Sequence, residues 1–149
     1  MEKVYLSKSY EDTQNIAYKI GSKINEPMVF LLSGDLGAGK TTFTQGLAKG
    51  LDITKTISSP TFTIMKNYNG RLALNHIDAY RLESLHQDLG FEELVGTIGV
   101  TVIEWPDFLE ELFPEEYLRI NILRISKNKR KILFNPKGLK YEKLIEDLI

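Results

Sequence analysis

The chain has 149 residues, of which 42% are hydrophobic and 26% charged, with a formal net charge of −1. That balance predicts one soluble domain over 1–149 with a core of its own, and it argues against a generic nucleic-acid binder. The chain holds no cysteine, which excludes disulfides, zinc–thiolate sites and cysteine nucleophiles. Met1-Glu2-Lys3-Val4 carries no secretory apolar core and no apolar run reaches membrane-spanning length, so a cytoplasmic location is expected.

The predicted elements begin with Val4-Tyr5-Leu6 as a short strand. Residues 11–24 fit a helix with Ile16, Ile20 and Ile24 on one face, ended by Asn25-Glu26-Pro27. Met28 to Leu32 is a short apolar run that reads as a buried strand. A helix over 40–50 follows, with Phe43, Leu47 and Leu51 at helical spacing and Gly50 at its end. Thr61 to Tyr68 is β-branched and aromatic, Asn69-Gly70 is a hairpin signal, and Arg71 to Asp78 reads as the returning strand. Short helical turns are expected over 83–96. Val100 to Glu104 reads as a buried strand, Pro106 to Leu112 as a short helix, and 118–125 and 131–134 as strands. Residues 138–149 read as a terminal helix. The interleaving predicts an α/β fold, and the two hairpins make its central sheet mixed.

Between strand and helix, Gly34-Asp35-Leu36-Gly37-Ala38-Gly39-Lys40-Thr41 fits the phosphate-loop pattern G-x-x-x-x-G-K-[ST]. Each fixed position answers one need of a bound triphosphate. The glycines let the backbone turn and approach the phosphates without a Cβ in the way. The amides of Gly37, Ala38, Gly39, Lys40 and Thr41 then form a nest for anionic oxygens. Lys40 supplies a point charge for the β and γ phosphates, and Thr41 a hydroxyl ligand for Mg²⁺. The helix adds its positive dipole end.

A phosphate-loop enzyme also needs a carboxylate at the end of a buried strand. Asp78 and Glu104 both qualify, and spacing alone does not divide their roles. Ser58 to Phe62 lies where a switch loop with a γ-phosphate-sensing Thr61 would fall, although a plain proline turn is as good a reading of those residues. Trp105 is the only tryptophan and reads as core packing. His76, two residues before Asp78, reads as a satisfied structural histidine. Ten carboxylates and no Lys or Arg fall between Leu82 and Leu118, whereas seven Lys or Arg and no carboxylate fall between Arg124 and Tyr141. Two solvated faces are the simplest account of that polarity.

Four motifs occur in order: Gly34 to Thr42, Ser59-Pro60-Thr61-Phe62-Thr63, His76-Ile77-Asp78-Ala79-Tyr80-Arg81-Leu82, and Glu104-Trp105-Pro106. Together they resemble the TsaE (YjeE) family of small bacterial ATPases in tRNA threonylcarbamoyladenosine (t6A) synthesis. The resemblance implies a P-loop NTPase-like three-layer αβα fold. It implies ATP and Mg²⁺ as cofactors, weak hydrolysis by the chain alone, and work with TsaB and TsaD. TsaD would transfer the threonylcarbamoyl group to adenosine 37 of tRNAs reading ANN codons, so tRNA enters only indirectly. No DNA or membrane is implied. By motif, Thr41 and Glu104 would ligate Mg²⁺, Asp78 would orient or activate the attacking water or hold it through the metal, and Thr61 would belong to the switch loop. Lys40 would act on the γ-phosphate, with Gly37, Ala38, Gly39, Thr41 and Thr42 around the phosphates. Trp105, Ser9 and Arg130 would lie against the nucleotide.

Three other readings compete. A guanine-specific GTPase carries N-K-x-D, but Asn128-Lys129-Arg130-Lys131 has Lys where the acid belongs. A small-molecule kinase needs an arginine-rich lid, and the arginines at 71, 81, 119, 124 and 130 are not clustered. A nucleotide-loaded adaptor would need occupancy of the site but not turnover.

Overall fold

The strand Met28–Gly34 (β2) lies in the middle of a seven-stranded sheet, and its run Met28 to Leu32 is buried on both faces, as a continuous apolar run requires. In the computed structural model of the chain the described residues are 2–35, 37–57, 65–78, 98–104 and 114–148, with Asp78 described in its backbone alone. In chain order the other elements are β1 (Lys3–Ser7), α1 (Tyr10–Lys23), α2 (Lys40–Gly50), β3 (Met65–Tyr68), β4 (Leu74–Asp78), β5 (Val100–Glu104), β6 (Tyr117–Arg124), β7 (Arg130–Lys137) and α3 (Leu139–Ile145).

The strand order is β1-β7-β6-β2-β5-β4-β3. β2 runs parallel to both β5 and β6, and β4 runs parallel to β5. The pairs β1–β7, β6–β7 and β3–β4 are antiparallel. The sheet is therefore mixed and the fold α/β, as the residue pattern predicts. The strand before β2 lies to one side of it and the next strands in sequence lie to the other. That reversal opens a crevice at the carboxyl end of β2.

One face of the sheet packs on the helices. Phe30 and Leu32 of β2, Val102 of β5, Ile120 of β6 and Phe134 of β7 join Ile16, Ile20, Phe43, Leu47, Tyr141 and Ile145 in a single buried cluster. α1 and α2 cross at backbone distance. A Cβ added at Gly46 would stand 2.3 Å from the Gln14 carbonyl oxygen, and one at Gly50 would stand 2.6 Å from that of Tyr18. A polar set laces the same crossing. The Tyr10 hydroxyl donates to Gln45 Oε1 at 2.8 Å, and Gln14 Nε2 donates to the same oxygen at 3.0 Å.

The structure departs from the residue pattern at the β3–β4 connection. Arg71 is not in a strand, and five residues separate Tyr68 from Leu74. The side chain of Arg71 turns back and donates to the carbonyls of Ile24, Gly21 and Gly50. Those carbonyls lie at the ends of α1 and α2, where the helical ladder runs out of donors, and they draw the arginine out of the strand ladder. The expected helices over 83–96 and 106–112 lie outside the described residues.

Candidate functional site

The phosphate loop leaves the sheet at Gly34, the last residue of β2, and enters α2 at Lys40. At Gly34, φ is +154° and an added Cβ would stand 2.6 Å from the Ile122 carbonyl oxygen, so no side chain fits. Gly39 opens α2 at φ +114°, and no side chain caps the helix there. Phe43 N–H makes the first helical bond, to Gly39 O at 2.9 Å. The amides of Thr41 and Thr42 thus have no partner within the helix, and no acidic residue stands in its first turn. Lys40 is buried, and its ammonium donates to the Gly34 carbonyl at 2.8 Å, closing the loop on itself. Thr41 and Thr42 are half-buried on the first turn.

Arg130, the first residue of β7, holds the outer side of the loop. Its Nε donates to Ala38 O at 2.7 Å, and one terminal nitrogen to Gly37 O at 3.4 Å. Its other terminal nitrogen donates to Ser126 O, Lys127 O and Lys129 O in the β6–β7 turn. In a trans peptide the N–H points opposite to the carbonyl of the same plane. Fixing Ala38 O outward therefore fixes Gly39 N–H inward, toward the nest. The resemblance places Arg130 at the nucleotide. In the structure its guanidinium is engaged by five carbonyls and shapes the loop.

A cleft beside the loop is lined by Ser9, Tyr10, Thr13, Gly39, Thr42, Lys127, Asn128 and Arg130. The structure thus brings Ser9 and Arg130 together with the phosphate loop, although neither has a distinctive local sequence. The Ser9 hydroxyl is the N-cap of α1 and accepts the Asp12 N–H at 3.0 Å. Asp12 in turn accepts the hydroxyl of Tyr5, and that bond pushes the Tyr5 pKa up to about 12.

The second acids lie at the carboxyl ends of neighbouring strands. Glu104 of β5 stands in register with Leu32 of β2 and with Asp78 of β4. Glu104 is buried, and its Oε2 is bonded by Nε2 of His76, itself fully buried. His76 is only half satisfied, because its Nδ1 is buried without a partner. Oε1 of Glu104 has no hydrogen-bond partner among the described residues. The strand alternation that puts His76 two places before Asp78 was visible in the chain; its bond to Glu104 depends on the parallel register of β4 and β5. Thr61 and Trp105 lie outside the described residues, as does the side chain of Asp78.

The family model for "Threonylcarbamoyl adenosine biosynthesis protein TsaE" matches residues 7–132. The chain belongs to the TsaE family. TsaE relatives named "tRNA threonylcarbamoyladenosine biosynthesis protein TsaE" cover most of the chain. One, from Bacillus subtilis (strain 168), is 47% identical, with 93% of this chain and 88% of the relative aligned. Another, from Nostoc sp. (strain PCC 7120), is 37% identical, with 100% and 92% aligned. The crystal structure of Bacillus subtilis YdiB superposes with a TM-score of 0.86 at 40% identity, covering 99% of this chain and 94% of that one. The agreement of fold extends from the first strand to the last helix, well beyond the four motifs. No described helix is long and apolar enough to cross a membrane.

Proposed function

We propose that the chain, as a single domain over 1–149, binds and hydrolyses ATP with Mg²⁺ and serves tRNA threonylcarbamoyladenosine biosynthesis as a cytoplasmic partner of TsaB and TsaD. The observation that carries the ATP reading is the uncapped start of α2, framed by Gly34, Gly39 and Lys40 and held open by Arg130. Membership of the TsaE family supports the place in tRNA modification.

The residues divide the work by chemistry. Lys40 exchanges the Gly34 carbonyl for β and γ oxygens, and the amides from Gly37 to Thr42 receive the remaining phosphate oxygens. The Thr41 hydroxyl and the Glu104 carboxylate are hard oxygen donors of the kind Mg²⁺ takes, and Oε1 of Glu104 is uncommitted among the described residues. Bound Mg²⁺ would neutralise charge developing on the phosphoryl oxygens. Asp78, at the end of the strand beside Glu104, orients the water, and Thr61 senses the γ-phosphate. Ser9, Arg130 and Trp105 border the nucleotide. A partner that supplied an arginine finger would complete the site and raise a slow intrinsic turnover.

Phosphate release by the chain alone and with TsaB–TsaD tests this reading. Lys40→Ala abolishes release while the far-UV spectrum is kept, and the partner raises the wild-type rate more than tenfold, a barrier change of about 1.4 kcal/mol. Full activity in Lys40→Ala refutes the site, and an unchanged rate with TsaB–TsaD refutes partner control. GTP competing as well as ATP would restore the GTPase reading.

A further inference from the structure

We infer that His76 is a positioning residue that holds Glu104 in the orientation in which one oxygen meets the nucleotide-bound divalent cation. The inference rests on the proposed metal role of Glu104. β4 and β5 run parallel with His76 opposite Val102, two residues before the pair Asp78 and Glu104. Alternation along both strands puts His76, Val102 and Glu104 on one face of the sheet. The imidazole thus reaches the carboxylate from below, along the sheet, and takes Oε2 through Nε2.

Stability does not account for the pair. The same face carries Leu74, Val100, Val102, Phe30 and Leu32, all buried, and an apolar side chain would pack among them. The histidine instead leaves Nδ1 buried without a partner. An orphaned buried nitrogen is destabilising, and buried polar pairs are commonly matched or bettered by apolar replacements. Broken packing rules of this kind concentrate where a site needs geometry.

The geometric need is specific. A glutamate has three side-chain torsions, and a cation ligand must present its oxygen at one place. Tying Oε2 to a ring with two torsions removes most of that freedom and leaves Oε1 as the outward oxygen. Outer partners of metal ligands act in this way, and their loss typically weakens metal binding by about 10–100-fold.

The test measures Mn²⁺ affinity by electron paramagnetic resonance in the full chain loaded with a non-hydrolysable ATP analogue. Nucleotide affinity in EDTA is measured in parallel. His76→Phe lowers Mn²⁺ affinity by at least about tenfold, and nucleotide affinity in EDTA stays within about twofold. Gln and Asn separate reach from polarity: His76→Gln places an amide N–H where Nε2 stands and keeps most of the affinity, whereas the shorter His76→Asn loses it. That contrast decides the matter even if His76→Phe fails to fold. In a Glu104→Gln background, the His76 substitutions add no further loss. Mn²⁺ affinity within twofold of wild type in His76→Asn, with a drop in Glu104→Gln, overturns the inference and leaves the metal role of Glu104 standing. No drop in Glu104→Gln overturns that metal role and the inference with it.

Discussion

The Nε of Arg130 and the carbonyl oxygen of Ala38 lie 2.7 Å apart, although 92 residues separate them in the chain. The guanidinium bonds both Ala38 O and Gly37 O, and it anchors itself on three carbonyls of the β6–β7 turn. One planar side chain with five donors thus sets the outer wall of the phosphate loop. Arg130→Gln should weaken ATP binding about tenfold, because hydrogen bonds from a charged donor contribute about 1.5–3 kcal/mol each. Arg130→Lys should recover little of this, since an ammonium lacks the fork that spans Ala38 and the turn. Titration with a fluorescent ATP analogue checks both, and wild-type affinity in Arg130→Gln would show that the loop holds its shape unaided.

The Gly46 contact sets the closeness of α1 and α2. A methyl there meets the Gln14 carbonyl oxygen at 2.3 Å, and backbone does not yield as a side-chain tip does. Gly46→Ala should lower stability by about 3 kcal/mol despite the better helix propensity of alanine. Urea unfolding reads this as a fall in midpoint at unchanged slope.

Arg71 offers a contrast with Arg130. It satisfies the carbonyls of Ile24, Gly21 and Gly50, far from the phosphate loop. Arg71→Ala should destabilise the fold by about 2–4 kcal/mol, since three part-buried carbonyls lose a charged donor, and should leave ATP affinity of the folded fraction unchanged. Loss of affinity at saturating folded protein would place Arg71 in the nucleotide site instead.

Tyr141 gives a prediction in pH. Its hydroxyl accepts the Val29 N–H at 2.8 Å, and burial raises its pKa above the ordinary phenol value of 10.0. A folded-state value raised above the unfolded one means that the neutral phenol's contribution is complete below the unfolded value. It is lost as pH rises through the folded one. Melting curves above pH 10 should therefore fall more steeply for the wild type than for Tyr141→Phe. At neutral pH the same substitution should cost about 1–3 kcal/mol, because Val29 N–H loses its acceptor. Equal alkaline slopes in the two proteins would count against the phenol's burial as the cause.

The parts legible in the chain were those fixed by local chemistry. The strand Met28 to Leu32, the glycine loop and the helix from Lys40 follow from hydrophobic period and turn residues, which act over a few residues. The hairpin was legible as a pair of strands but not in its turn. Asn69-Gly70 signals a tight connection, whereas Arg71 is drawn away by carbonyls 21 to 50 residues distant. Distance also hid the clamp of Arg130 on Ala38. His76 read as a satisfied histidine because its partner, Glu104, becomes its neighbour only through the parallel β4–β5 ladder.

The sheet order has a consequence for synthesis on the ribosome. Among the described strands β1, the earliest in sequence, has one neighbour, and that neighbour is β7, the latest. A nascent chain that has emerged only as far as residue 129 contains the whole phosphate-loop sequence, yet it lacks Arg130 and leaves both β1 and β6 with open edges. Contacts of such long range form slowly, and open edges invite wrong pairing in the interval. The clamp of Arg130 on the phosphate loop therefore forms only after β7 has been made and has closed the edges of β1 and β6.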